Sequence, residues 1–205
     1  MIFLKACSDS GFCPGSAIRQ IDQKLFSLVN GLDFTGSDLL LGWVTWLGDA
    51  GVATVLAILG LLILDRRRFW QNFLFIVGAM LLSSIAVHLL KAGVARPRPL
   101  IEMGGMLPDG RAIHVLFKEL TQKSFPSGHS QTVFGLAAGF QLLFAPRLRW
   151  LYLLAGWVAL SRIYIGAHFP LDVLAGGLLG VLGVDLMAKI WRPSHLRISE
   201  AKDEN

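Results

Sequence analysis

SRIYIGAHFPLDVLAGG, Ser161 to Gly177, decides how this chain is read. Apolar runs flank it, yet it carries Arg162, His168 and Asp172. A charge at the centre of a bilayer-spanning helix costs about 2.5–3.5 kcal/mol on insertion scales, so such groups mark a site or the end of a helix. Pro170 suits the first turn of a helix. His168 then falls just before a helix start and Asp172 in its first turn, while Ser161 and Arg162 close the helix before. The Gly176–Gly177 pair reads as a place of close helix packing.

Outward from this stretch the chain keeps the same character. Of its 205 residues 54% are hydrophobic and 16% charged, with a mean hydropathy of +0.57. A soluble domain has about 45–50% apolar and about 25% charged residues. Five runs approach the roughly 20 residues that cross a bilayer core: Ala50–Leu64, Phe69–Leu90, His129–Ala145, Trp150–Ile165 and Leu171–Trp191. The fold class expected is an all-α integral membrane protein, a bundle of five to six transmembrane helices, because backbone polar groups in lipid need internal partners. LLLGWVTWLG (Leu39–Gly48) reads as an interfacial helix that turns at Gly48–Gly51 into the first span. Ser16–Asn30 reads as an amphipathic N-terminal helix with Ile18, Ile21, Leu25, Leu28 and Val29 on one side, lying on the membrane. The organisation expected is an interfacial segment over 1–36, a transmembrane catalytic domain over 37–192 and a polar cytoplasmic tail over 193–205.

The sequence pI near 9.6 fits an anionic membrane surface or a phosphorylated substrate, and the apolar excess disfavours nucleic acid. Lys and Arg divide nine against ten between the two membrane faces, so charge alone does not orient the chain. The short loops DRRR and PRLR favour their own side as cytoplasmic. MIFL is too short for a signal-peptide core. Cys7 and Cys13 are too few for a disulfide scaffold, and read as a pair in an oxidising compartment or as two free thiols.

Alternation of the spans brings three polar clusters to one face. They are Lys91 with Arg98 after the second span, Pro126-Ser127-Gly128-His129 before the third, and Ser161-Arg162 with His168 and Asp172 between the fourth and fifth. They read K-x6-R-P, P-S-G-H and S-R-x5-H-x3-D. In this order and spacing they resemble the motifs of the type 2 phosphatidic acid phosphatase (PAP2) superfamily, bacterial membrane lipid phosphatase branch, which shares its active-site motif with vanadium haloperoxidases. The resemblance covers Lys91–Asp172 and extends through the last span.

The residue chemistry agrees. Lys91, Arg98 and Arg162 suit a dianionic phosphoryl group, the Arg forks holding oxygens in pairs and Lys adding a point charge. Ser127 is a natural helix cap, and Gly128 lets a ligand approach backbone N–H groups at a helix start, so both join the phosphate-binding set. His168 is the candidate nucleophile, with Asp172 accepting its Nδ1–H. His129 would protonate the leaving oxygen and then activate water. The resemblance implies a phosphohistidine intermediate. Read as zinc ligands, His129, His168 and Asp172 would face three opposing cations, so neither metal nor cofactor is expected.

Lys118, with Glu102, Asp109 and Arg111, belongs to a long charged linker, Ala92–Phe125, that could shape substrate access. His88 reads as a buried structural residue, His114 as a loop residue, His195 as solvated, and Asp185 with Lys189 as an i,i+4 pair.

The expected function is hydrolysis of a phosphate or pyrophosphate on a lipid, of undecaprenyl pyrophosphate, phosphatidylglycerophosphate, phosphatidic acid or lipid A type, at the outer face of a bacterial inner membrane. The partners are the lipid phosphate substrate and membrane lipids. Rival readings are a phosphotransferase with the same histidine chemistry, a vanadate-dependent haloperoxidase, and a non-catalytic lipid transporter.

Overall fold

The structure, a computed structural model, describes residues 14–32, 34, 36–117, 123–144, 146–191 and 193. Among these, helix is the regular element, and Met106 and Ala112 form one isolated bridge. The α-helices are α1 (Pro14–Asn30), α2 (Ser37–Thr45), α3 (Ala50–Asp65), α4 (Phe69–Val94), α5 (Pro99–Glu102), α6 (Gly128–Phe144), α7 (Leu151–Tyr164) and α8 (Pro170–Ile190). Short 3-10 turns at Trp46–Gly48, Arg66–Arg68 and Pro146–Trp150 join them.

Local chemistry sets the helix starts. Asp49 caps α3, its carboxylate accepting the N–H groups of Gly51 and Val52 at 2.9 and 3.2 Å. Pro170 opens α8, and the Phe169 N–H donates to the Asp172 carboxylate at 2.9 Å. Two stretches, Ala50–Glu102 and Pro170–Ile190, are long and apolar enough to cross a membrane.

α8 shows how the bundle is packed. Leu174, Leu178, Leu182, Leu186 and Ile190 face outward, Leu174 being 67% and Leu178 60% exposed. Gly176, Gly177, Gly180 and Gly183 face inward. A Cβ on Gly176 would collide with the Ser127 carbonyl oxygen, and one on Gly180 with that of Gln131. On Gly183 it would come within 2.9 Å of the Ala79 carbonyl oxygen in α4. Small residues inside let the backbones of α4, α6 and α8 approach, while leucines outside suit lipid and not water. The molecule is a helical membrane protein.

At one end of the bundle Leu61, Phe75, Ile76, Phe140 and Leu143 form a core near the Arg66–Arg68 turn. At the other, Phe26, Leu107, Ile113, Phe169 and Val173 join α1, the segment after α5 and α8. α1 carries its apolar stripe outward: Ile18, Ile21, Leu25 and Leu28 are exposed, while Asp22, Phe26 and Asn30 are buried.

Two expectations are corrected. His88 is exposed, its Nδ1 2.8 Å from the Ser84 carbonyl oxygen. Ser83 and Val87 point inward, and the next position in the helix turns about 100° away from them. Asp185 and Lys189 are both exposed and form no ion pair. An exposed pair at this spacing is worth only about 0.3–0.5 kcal/mol, too little to hold the long, flexible lysine side chain in one place. Cys7, Cys13, Lys118, His195 and the tail after Pro193 lie outside the described residues.

Candidate active site

The polar groups gather where α4 and α7 end and α6 and α8 begin. The Arg98 Nη1 donates to the Ala167 carbonyl oxygen at 2.8 Å. The N–H groups of Ala167 and His168 donate to the Arg162 carbonyl oxygen at 3.1 and 3.2 Å. The Ser127 N–H donates to the Asp172 carbonyl oxygen at 2.8 Å, tying the PSGH turn to α8. Lys91 feels the charges of Arg98, Arg162, Asp172 and Lys123. His129 feels those of Arg162, His168 and Lys91. All eight residues singled out from the motifs (Lys91, Arg98, Ser127, Gly128, His129, Arg162, His168 and Asp172) therefore meet at one end of the bundle.

Their surroundings differ. Ser127 is fully buried, and its Oγ accepts from the Ser130 N–H at 3.4 Å and bonds the Ser130 Oγ at 3.0 Å. In this structure it serves as the cap of α6, with its side chain engaged inside the protein. Beside it, nothing lies within 4 Å of where a Gly128 Cβ would stand. That open space lies at the N-terminus of a 17-residue helix, where N–H groups and the helix dipole attract anions. Arg162 is buried, with Nη1 on the Thr45 hydroxyl at 2.9 Å and Nε without a hydrogen-bond partner.

His168 is buried in the turn between α7 and α8. Burial pushes its imidazole down to about 4; Asp172 pulls the other way, and Arg162 and Arg98 push further down. The expected Nδ1–H bond to Asp172 is not made, the separation being 3.8 Å. The Asp172 Oδ2 accepts instead from the Ser124 hydroxyl and the Phe169 N–H, and Oδ1 from Arg96 at 2.9 Å. The His168 Nδ1 is left buried without a partner.

Four residues around the site, Arg96, Asp22, Ser124 and Thr45, were not read from the sequence. Arg96 binds Asp22 at 2.8 Å, Glu102 at 3.1 Å and Asp172 at 2.9 Å. Ser124 holds Asp172, and Thr45 holds Arg162. Signals were present for two of them: an acid, Asp22, opposite the apolar stripe of an amphipathic helix, and a second arginine, Arg96, two residues before Arg98. Of the linker residues, Glu102 turns inward to Arg96, and Arg111 pairs with Asp109. His114 lies 2.9 Å from the Asp38 carboxylate.

An apolar cavity of about 150 Å³ opens beside Arg162, lined by Leu100, Val115, Phe117, Ile165, Gly166 and Ala167. A larger one, about 430 Å³, lies around Asn30, Asp38, Arg111, His114 and Tyr164 and contains none of the motif residues. The smaller one is the relevant one, because it adjoins a phosphate-clamping candidate.

A family model described as the PAP2 superfamily matches residues 72–195. The chain is 35% identical over 105 residues to a lipid A 1-phosphatase of Rhizobium etli, covering 50% of this chain and 43% of that protein. It is 38% identical over 127 residues to a decaprenylphosphoryl-5-phosphoribose phosphatase of Mycobacterium tuberculosis, covering 62% and 64%. The aligned parts thus span less than two thirds of these relatives' own lengths. Among solved structures, LpxE of Aquifex aeolicus matches with a TM-score of 0.70 at 29% identity, covering 82% of this chain and 95% of that one. A PAP2 type phosphatidylglycerolphosphate phosphatase of Bacillus subtilis shares the fold, with a TM-score of 0.61 at 22% identity over 85% and 86%. The matched region takes in all three polar clusters and four of the five long apolar runs, and the chain belongs to the PAP2 superfamily.

Proposed function

We propose that this protein is an integral membrane phosphatase that hydrolyses a phosphate or pyrophosphate carried by a lipid. The observation that carries this reading is the meeting of His168 and His129 with Lys91, Arg98 and Arg162 beside the open N-terminus of α6. The apolar cavity next to Arg162 suits a greasy group adjoining the phosphate. The relatives named above act, by their names, on lipid-linked phosphates.

In this mechanism the cations and the Gly128 N–H hold the equatorial phosphoryl oxygens as charge builds in the transition state. The His168 Nε2 attacks phosphorus. The bond from phosphorus to the leaving oxygen breaks, and His129 gives that oxygen a proton, leaving phosphohistidine. His129 then takes a proton from water, which attacks phosphorus, breaks the N–P bond and frees inorganic phosphate. Asp172 orients His168 by accepting its Nδ1–H once the two close from 3.8 Å. The unpartnered Nδ1 leaves that position open to the carboxylate. No step calls for a metal.

α3, α4, α6, α7 and α8 are taken as five spans, with α1 and α2 lying at the surface of the membrane. α6 and α7, with 17 and 14 residues, are about 26 and 21 Å long, and the flanking turns make up the rest of the roughly 30 Å core. The Arg66–Arg68 and Pro146–Trp150 turns face the cytoplasm, which sets the site at the outer face of the inner membrane.

The test is phosphate release by the purified protein from undecaprenyl pyrophosphate, phosphatidylglycerophosphate, phosphatidic acid and lipid A, each with EDTA present. Release from at least one lipid is expected in EDTA, and loss on the order of 10³-fold or more in His168→Ala. A His168→Ala protein with full activity would refute the mechanism. Transfer of the phosphoryl group to an added lipid or sugar alcohol, in place of release, would turn the reading to the phosphotransferase.

A further inference from the structure

The family match begins at residue 72, after α1. Yet α1 reaches into the site. Asp22, in the middle of α1, is 1% exposed. Its Oδ1 accepts the Leu171 N–H at 2.9 Å, capping α8 from another helix, and its Oδ2 accepts from the Arg96 Nη2 at 2.8 Å. The Arg96 Nη1 continues to the Asp172 Oδ1 at 2.9 Å, and its Nε to Glu102 at 3.1 Å. The guanidinium lies 4.0 Å above the ring of Phe169, and Phe26 of α1 packs against the same ring at 5.3 Å. Phe169 directly follows His168 in the chain. α1 and Arg96 therefore grip the His168–Asp172 turn by its ring, its helix start and its carboxylate.

We propose that Asp22 and Arg96 are positioning residues of the active site, and that the N-terminal helix works as part of the catalytic apparatus by fixing Asp172 and, through it, His168. This rests on the phosphatase reading above. The physical reason is geometric. One Oδ of Asp172 must stay within reach of the His168 Nδ1. Arg96 holds the other oxygen, and Ser124 with the Phe169 N–H limits how far the carboxylate can swing. A planar fork with several donors can hold Asp22, Glu102 and Asp172 at once and lie flat on Phe169, whereas an ammonium cannot. Neither residue touches the space beside Gly128, and their side-chain link to the reacting groups runs from Asp22 through Arg96 to Asp172.

The experiment is a double-mutant cycle on phosphate release by the full chain in detergent, from whichever of the four lipids named above the wild-type chain hydrolyses fastest, with kcat and KM measured separately. Arg96→Gln is expected to lower kcat about 10- to 100-fold, as outer-shell partners of working residues do, with KM changed by less than about threefold. Arg96→Lys is expected to recover part of that loss. Asp22→Asn removes the charge but keeps an oxygen for the Leu171 N–H. It is expected to fold even if Arg96→Gln does not, and to lower kcat about 10-fold. On an Asp172→Asn background, both changes are expected to add less than about twofold, because a residue acting through Asp172 has nothing left to act on. Wild-type kcat in Asp22→Asn, or losses that multiply in full on the Asp172→Asn background, overturn the proposal while leaving the phosphatase reading intact. Absence of phosphate release by the wild-type chain from every lipid tested overturns both.

Discussion

His168 is kept neutral by its position. Buried between helix ends and facing Arg162 and Arg98, it holds no proton until the pH falls to about 4. A neutral imidazole has the free lone pair that attack on phosphorus requires. Activity should therefore survive well below the ordinary histidine range. The acid limb of kcat/KM, once corrected for the substrate phosphate's own ionisation near pH 6, is expected near pH 4 to 5. An enzyme-borne limb at about 6.5 would count against this. The linkage sign is the same for stability. Unfolded His168 binds a proton below about 6.5 and folded His168 does so only near 4, so this group makes folding less favourable as pH falls through that window. At this scale the sequence was informative. Lys91, Arg98, His129, Arg162, His168 and Asp172 could be named as candidates, from the clustering of their residue types at helix ends and from the resemblance of their motifs to those of the PAP2 superfamily. The role of Arg96 could not be read, because it depends on Asp22, 74 residues away, and on Asp172, 76 residues away.

At the scale of elements, the α6–α8 crossing holds the PSGH turn against the helix that begins just after His168. Gly176 makes that contact, with the Ser127 carbonyl oxygen where its Cβ would be. Gly156→Ala in α7 is the control, since nothing lies within 4 Å of a Cβ there. Gly176→Ala is expected to destabilise by about 1–3 kcal/mol through overpacking and to lower phosphate release by displacing Ser127 and Gly128. Gly156→Ala is expected to be neutral or to stabilise by about 0.4–1 kcal/mol. Thermal midpoints and initial rates in one detergent check both, and equal behaviour of the two variants would overturn the packing account. The glycine pair was legible in the sequence as a packing signal. The partner it packs on was not, because a glycine carries no mark of what approaches it. α1 was legible as an amphipathic helix, but its polar side turns to the protein interior, where Asp22 meets Arg96 and Asn30 meets the carbonyl oxygens of His114 and Tyr164 at 2.8 and 2.7 Å.

The whole molecule has two ends of different chemistry. One carries Arg66–Arg68 and Arg147 with Arg149, and the other carries the site. Single cysteines at Asp109 and Arg149, in a chain with Cys7 and Cys13 replaced by serine, test how these ends lie. A membrane-impermeant maleimide is expected to label position 109 in cells whose outer membrane alone is opened. Position 149 is expected to react only after the inner membrane is also breached. Labelling of both under the first condition would refute the spanning arrangement, and labelling of 149 alone would reverse its orientation.

The sequence by itself determined the helical class, the five long apolar runs and the residue types of the site. Each follows from local pattern: apolar length set by bilayer thickness, helix starts set by proline and capping groups, and charges confined to helix ends by the cost of burying them in lipid. The tertiary structure decided which way α1 faces, which three acids Arg96 joins, and that Asp172 rests on Ser124 and stands 3.8 Å from His168. Those are matters of contact between segments far apart in the chain. A buried charge takes the partner that packing brings within about 3 Å, and spacing along the sequence does not specify it.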